Sequence, residues 1–189
     1  FAPAHHAAMK HVGPARVELG TRTVFNLLGP LSNPASVRRQ LVGVFSKAWV
    51  RPVADVLAAL GTERALIVHG ADGLDEMTTT TITHVASVEE GVVTEYDVDA
   101  NELGLARADP ASLTGADAQH NAAALRAVLA GEAGPYRDIA ALNAAGALLV
   151  AGHVETLAEG LAEATRVIDA GLATKRLEAL IAVADAVAP

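Results

Sequence analysis

Apolar positions along the chain repeat with two different periods, and the change of period divides it into elements. Gln40 to Phe45 (QLVGVF) and Arg64 to Gly70 (RALIVHG) are short, nearly continuous apolar runs rich in β-branched residues, the pattern of strands buried on both faces. Between them, from about Val50 to Leu60, apolar residues recur every three to four positions, which predicts a helix. Strand, helix and strand at this spacing form a βαβ unit, whose crossover is right-handed, so helix 50–60 is expected to cover one face of a sheet. Thr81 to Val88 and Val92 to Val98 alternate apolar and polar residues around Glu89-Glu90-Gly91, which predicts two strands joined by a tight turn, with one solvated face. From Gly115 onward the period is helical, with helices expected at 116–130, 136–151, 155–170 and 173–187, stopped by Gly131, Gly152 and Gly171.

The N-terminal stretch is more broken. Pro3 to Leu19 is helix-compatible but interrupted by Gly13-Pro14, so two short helices fit better than one, with Gly20 as a stop. Asn26 to Pro34, within TVFNLLGPLSNP, reads as a turn of helix followed by a rigid connector. The expected fold is therefore α/β, a mixed and mainly parallel sheet flanked by helices. No internal repeat is visible, and the alanine enrichment is a helix-propensity signal.

Composition narrows the function. Of 189 residues, 51% are hydrophobic and only 3% aromatic, enough apolar material for a core of closely packed small side chains. The formal net charge of −8 argues against nucleic acid as a partner, because such binding rests on lysine and arginine contacts to phosphate. A phosphate-bearing ligand must then be held locally, by a few cations, backbone amides or a metal. The absence of cysteine excludes disulfides and thiolate catalysis and fits a cytoplasmic setting. No apolar run is long enough for a membrane-spanning helix, so no membrane partner is expected.

Two segments carry candidate chemistry. His69 to Glu76 (HGADGLDE) follows a buried strand, where open α/β sheets bind ligands. Gly70 and Gly73 allow a tight bend around which Asp72, Asp75 and Glu76 lie, and in a loop Asp75 and Glu76 can converge; converging carboxylates suit Mg2+, which takes one or two of them together with water and substrate phosphate. From spacing alone a solvated turn is the simpler reading. The second segment holds His5, His6, Lys10, His11 and Arg16. The offset between His6 and His11 scatters them around a helix and speaks against zinc. Arg16 offers a planar fork suited to a carboxylate, although an ordinary solvated basic face explains the cluster as simply. His120 and Asn143, on helices of the tail, read as satisfied core groups without a catalytic role.

Taken together, FAPAHHAAMKHVGPARVELGTRTVFNLLGPLSNPA, VHGADGLDEMTTT and NAAALRAVLAGEAGPYRDIAALNAAGALLVAG closely resemble the anthranilate phosphoribosyltransferases, over essentially the whole chain. The resemblance implies a nucleoside phosphorylase/phosphoribosyltransferase-like fold in which residues 1–34 are small-lobe helices and a hinge, and 35–189 the α/β domain with its C-terminal helices. It implies Mg2+-dependent transfer of a phosphoribosyl group from phosphoribosyl pyrophosphate to anthranilate, in tryptophan biosynthesis, by a homodimer. Asp75 and Glu76 match the magnesium pair, Arg16 the arginine that grips the anthranilate carboxylate, and His6 a histidine of the same pocket. Ala7 stands where members commonly have proline.

The chain opens at Phe1, without an initiator methionine. The resemblance places the family's pyrophosphate loop upstream of it, so this stretch alone is expected to be inactive or weakly active. Two other readings share the fold. A pyrimidine nucleoside phosphorylase would use phosphate and no magnesium pair, and a non-catalytic nucleic-acid-binding relative would be strongly basic.

Overall fold

The computed structural model describes residues 13, 18–21 and 26–187. The expected helices between Pro3 and Leu19, and with them His6 and Arg16, lie outside the described residues or almost entirely so. The connector begins the described fold with a short helical turn, α1 (Leu28–Leu31), in agreement with its sequence pattern. The remaining elements follow the expected order: β1 (Arg39–Gly43), α2 (Val50–Ala59), β2 (Arg64–Gly70), β3 (Ile82–Glu89) and β4 (Val92–Asp99). The helices α3 (Ala118–Leu129), α4 (Pro135–Ala151), α5 (Leu157–Asp169) and α6 (Leu172–Val187) complete the chain.

The four strands form one sheet in the order β1-β2-β3-β4. The sheet is mixed, as expected, but not mainly parallel: among the described residues only β1 and β2 run parallel, while β2–β3 and β3–β4 are antiparallel. The reason is local. Only β1 and β2 are separated by a crossover helix, whereas β2 reaches β3 through a loop and β3 reaches β4 through a two-residue turn. Glu90 and Gly91 both take positive φ there, at 50° and 80°, the backbone that a right-twisted hairpin requires.

Alternating side chains of the sheet feed two cores. On one face Val42, Val44, Ala65, Ile67, Ala86 and Val88 pack with Val50, Val53, Ala54 and Leu57 of α2, whose spacing makes one stripe along the helix. On the other face Leu66, Val68, Val85 and Val98 meet Leu142 and Val150 of α4. Helix α4 is itself covered by α5, where Ala141 and Ala145 pack against Leu161, Ala164 and Ile168. The two helices can approach closely because Gly160 has no side chain, and a Cβ there would lie 2.8 Å from the Ala145 carbonyl oxygen. Thus α4 is fixed between the sheet and an outer helix.

Helix ends follow the sequence closely. Asp117 accepts from the His120 amide at 2.8 Å and Thr156 from the Glu159 amide at 3.1 Å, each satisfying an amide that has no partner within its helix. At the far end of α4, Gly152 adopts a left-handed φ of 73°, as its role as a stop requires. No described helix is long and apolar enough to cross a membrane.

Candidate metal-binding loop

The segment between β2 and β3 leaves the carboxyl end of β2 and folds back on itself. Gly70 donates to the Leu74 carbonyl at 2.8 Å, and Gly73, at φ 97°, donates to the Gly70 carbonyl at 2.8 Å, which closes a tight bend. A Cβ on Gly70 would run into Asp72 Oδ1 and lie 3.0 Å from Thr78 Cγ2, so the bend needs glycine for space there and for backbone conformation at Gly73. Beneath the bend, the buried His69 ring places Nδ1 2.8 Å from the Val44 carbonyl oxygen and ties the end of β2 to the residue that follows β1.

The three acidic residues of the bend divide into two roles. Asp72 turns back on the loop. Its carboxylate accepts from Thr78 Oγ1 at 2.6 Å, from Thr80 Oγ1, and from the Leu74 amide at 3.1 Å. Partial burial pushes the Asp72 carboxyl up, but the bonds from Thr78, Thr80 and Leu74 outweigh it and hold the group below its ordinary value. The oxygens of Asp72 are thus engaged by its own loop.

Asp75 and Glu76 remain exposed, and neither is paired with a cation among the described residues. The Glu76 carboxyl is held above its ordinary value, first by burial and then by the charges of Asp75 and Asp72. Two adjacent carboxylates under mutual repulsion fit a hard divalent cation, which would relieve the repulsion and leave positions for water and phosphate. No group of three or more His, Cys, Asp or Glu residues that could hold a metal occurs among the described residues.

The backbone around Glu76 is fixed from both sides. The Asp75 carbonyl packs against Gly43, the last residue of β1, so tightly that any Cβ on Gly43 would overlap it. After Glu76, the fully buried Met77 is held by Asn143 of α4: the Met77 amide donates to Asn143 Oδ1 at 2.9 Å and Asn143 Nδ2 donates to the Met77 carbonyl at 2.8 Å. Asn143 Nδ2 also donates to the Ile139 carbonyl of its own helix at 2.9 Å. Asn143 is a satisfied interior group, as expected, but it is also the link between α4 and the acidic loop. Sequence reasoning had no signal for this, since its partner lies 66 positions away. His120, by contrast, is exposed and is not a core group.

Asp75 also borders a cavity of about 170 Å³, together with Asn26, Leu27, Pro30, Val44 and Phe45. The acidic bend therefore adjoins the connector. A larger cavity of about 630 Å³ lies at the opposite end of the sheet, lined in part by Arg38, Arg39, Arg64 and Glu63. Its charges are largely spent: Arg38 and Arg39 pair with Glu63, Arg64 pairs with Glu89, and Arg39 and Arg64 also donate to carbonyls of the last turn of α4.

The glycine-bent acidic loop thus lies at the carboxyl end of a buried strand, the place where open α/β sheets bind ligands. Comparison with known proteins gives the family: residues 1–174 match the Glycosyl transferase family, a/b domain, and the chain belongs to it. It is 58% identical over its whole length to an anthranilate phosphoribosyltransferase of Azorhizobium caulinodans, of which it covers 55%. Among solved structures it is similar to the anthranilate phosphoribosyltransferase of Thermus thermophilus, with 44% identity and a TM-score of 0.83 over 94% of this chain and 52% of that one. It is also similar to the Saccharomyces cerevisiae anthranilate phosphoribosyltransferase in complex with PRPP and Mg, with 30% identity and a TM-score of 0.79 over 92% of this chain and 50% of that one. The chain spans about half the length of the relatives it matches.

Proposed function

We propose that the chain serves the transfer of a phosphoribosyl group from phosphoribosyl pyrophosphate to anthranilate, with Asp75 and Glu76 holding Mg2+. The observation that carries this reading is the pair of adjacent carboxylates, unpaired among the described residues, on a braced loop at the carboxyl end of β2. The names of the relatives in three organisms support it. In this reading the anthranilate amino nitrogen forms a bond to the anomeric carbon as the bond to pyrophosphate oxygen breaks, and the amine then loses a proton. Magnesium supplies charge neutralisation for the departing pyrophosphate. Asp75 and Glu76 fix where that neutralisation occurs, so the contribution of this loop is electrostatics and alignment.

Arg16 would hold the anthranilate carboxylate with its planar fork and His6 would line the same pocket, both on the segment that precedes the connector. The cavity shared by Asp75 and the connector supports this placement, because it puts the acidic bend beside the chain leading back to those residues. Residues 1–34 would then form a lobe over the sheet domain, and a homodimer in the cytoplasm is the assembly that this reading favours.

The test is turnover of anthranilate, followed by loss of its fluorescence, in protein expressed from its full reading frame. Activity should vanish on chelation of divalent cations and return with Mg2+. Replacing Asp75 and Glu76 together by asparagine and glutamine should abolish turnover at any Mg2+ concentration. Activity indifferent to chelation and driven by inorganic phosphate would instead identify a nucleoside phosphorylase.

A further inference from the structure

Glu76 is flanked by two peptide planes, and a different distant element controls each of them. The plane before it carries the Asp75 carbonyl, which occupies the space a side chain would take on Gly43 of β1. The plane after it carries the Met77 amide, which donates to Asn143 Oδ1 at 2.9 Å, while Asn143 Nδ2 returns a bond to the Met77 carbonyl at 2.8 Å. The Asn143 side chain thus pairs with Met77 as a neighbouring strand would. It is itself held, since its second Nδ2 hydrogen goes to the Ile139 carbonyl. The Met77 side chain adds an anchor by packing against Gly146, one turn along α4, where a Cβ would come within 3.0 Å of the sulfur. Fixing both planes fixes φ and ψ of Glu76, and with them the direction in which its carboxylate leaves the backbone.

We infer that Gly43 and Asn143 are positioning residues for the metal-binding carboxylates, acting through the backbone on either side of Glu76 and touching neither metal nor substrate. This inference rests on the reading of Asp75 and Glu76 as metal ligands and adds to it the residues that set their geometry.

The experiment uses the protein expressed from its full reading frame, saturated with pyrophosphate, with Mn2+ binding followed by electron paramagnetic resonance. Gly43→Ala and Asn143→Ala should each weaken Mn2+ binding by about 10- to 100-fold, the range seen when residues behind metal ligands are removed. Anthranilate KM of Asn143→Ala should stay within about twofold of the parent, because Asn143 touches neither the connector nor the segment assigned to anthranilate. Unchanged Mn2+ affinity with a lowered melting temperature would show that the two residues only support the scaffold, and would overturn the inference. If Gly43→Ala fails to fold, because its methyl group would overlap the Asp75 carbonyl, Asn143→Ala decides, since it removes side-chain atoms and adds none. Glu76→Gln separates the two levels. If it too leaves Mn2+ binding unchanged, the metal assignment itself fails; if it weakens binding and the other two do not, only the positioning role is lost.

Discussion

At the scale of single residues, Asp72 and Glu76 show how one short loop places similar groups in opposite circumstances. Asp72 is engaged by two threonine hydroxyls and an amide, which favour its charged form, and its carboxyl is held below the ordinary value. Relative to an unfolded carboxyl near about 3.9, this contribution is fully present above that pH and is lost as pH falls through the lower folded value. Asp72→Asn should therefore cost stability at pH 7, by about 1–2 kcal/mol for the weakened hydrogen bonds. The difference from the parent should shrink as pH falls through the lowered folded value, where the parent carboxyl also becomes neutral. Urea denaturation at pH 7 and across a descending acid series checks both parts. Glu76 has the opposite sign, since burial and then the charges of Asp75 and Asp72 hold its carboxyl above the ordinary value.

At the scale of elements, most of the fold was legible because period and punctuation agree. Helix α2 buries Val50, Val53, Ala54 and Leu57, the stripe its spacing predicts, and Gly131, Gly152 and Gly171 all take the positive φ expected of helix stops. The hairpin was legible from Glu-Glu-Gly between alternating segments. What local pattern could not provide was the share of parallel pairing, which depends on whether a crossover intervenes. It also could not reveal contacts between elements far apart in sequence, such as Asn143 with Met77 or Gly160 with Ala145. The acidic pair was legible as a loop after a strand, yet the inward turn of Asp72 depends on threonines whose folding back onto it the spacing does not show. The Gly160 contact yields a prediction at this scale. Gly160→Ala places a methyl group against the backbone of α4, where no flexible side chain can yield, and should destabilise the protein by about 1–3 kcal/mol in chemical denaturation. Thr156→Ala, which removes only a cap, should cost about 1 kcal/mol.

At the scale of the whole molecule, charge and architecture point the same way. A net charge of −8 gives no general attraction for polyanions, so a phosphate-bearing ligand would depend on local features such as the cation proposed for the acidic bend. Protein from the full reading frame should accordingly leave the mobility of single-stranded DNA unchanged in a gel-shift experiment at low salt. A salt-sensitive shift would favour the nucleic-acid-binding relative over the transferase. The two ends of the sheet also differ in how they use charge. At one end Arg39 and Arg64 are taken up by glutamates and by the terminal carbonyls of α4, whereas at the other end Asp75 and Glu76 have no cation partner among the described residues.

The threonine staple at Asp72 holds the bend without borrowing an oxygen from Asp75 or Glu76. In the proposed reading a magnesium ion would meet a bend already closed by its own hydrogen bonds, so little chain entropy would be surrendered at the moment of capture.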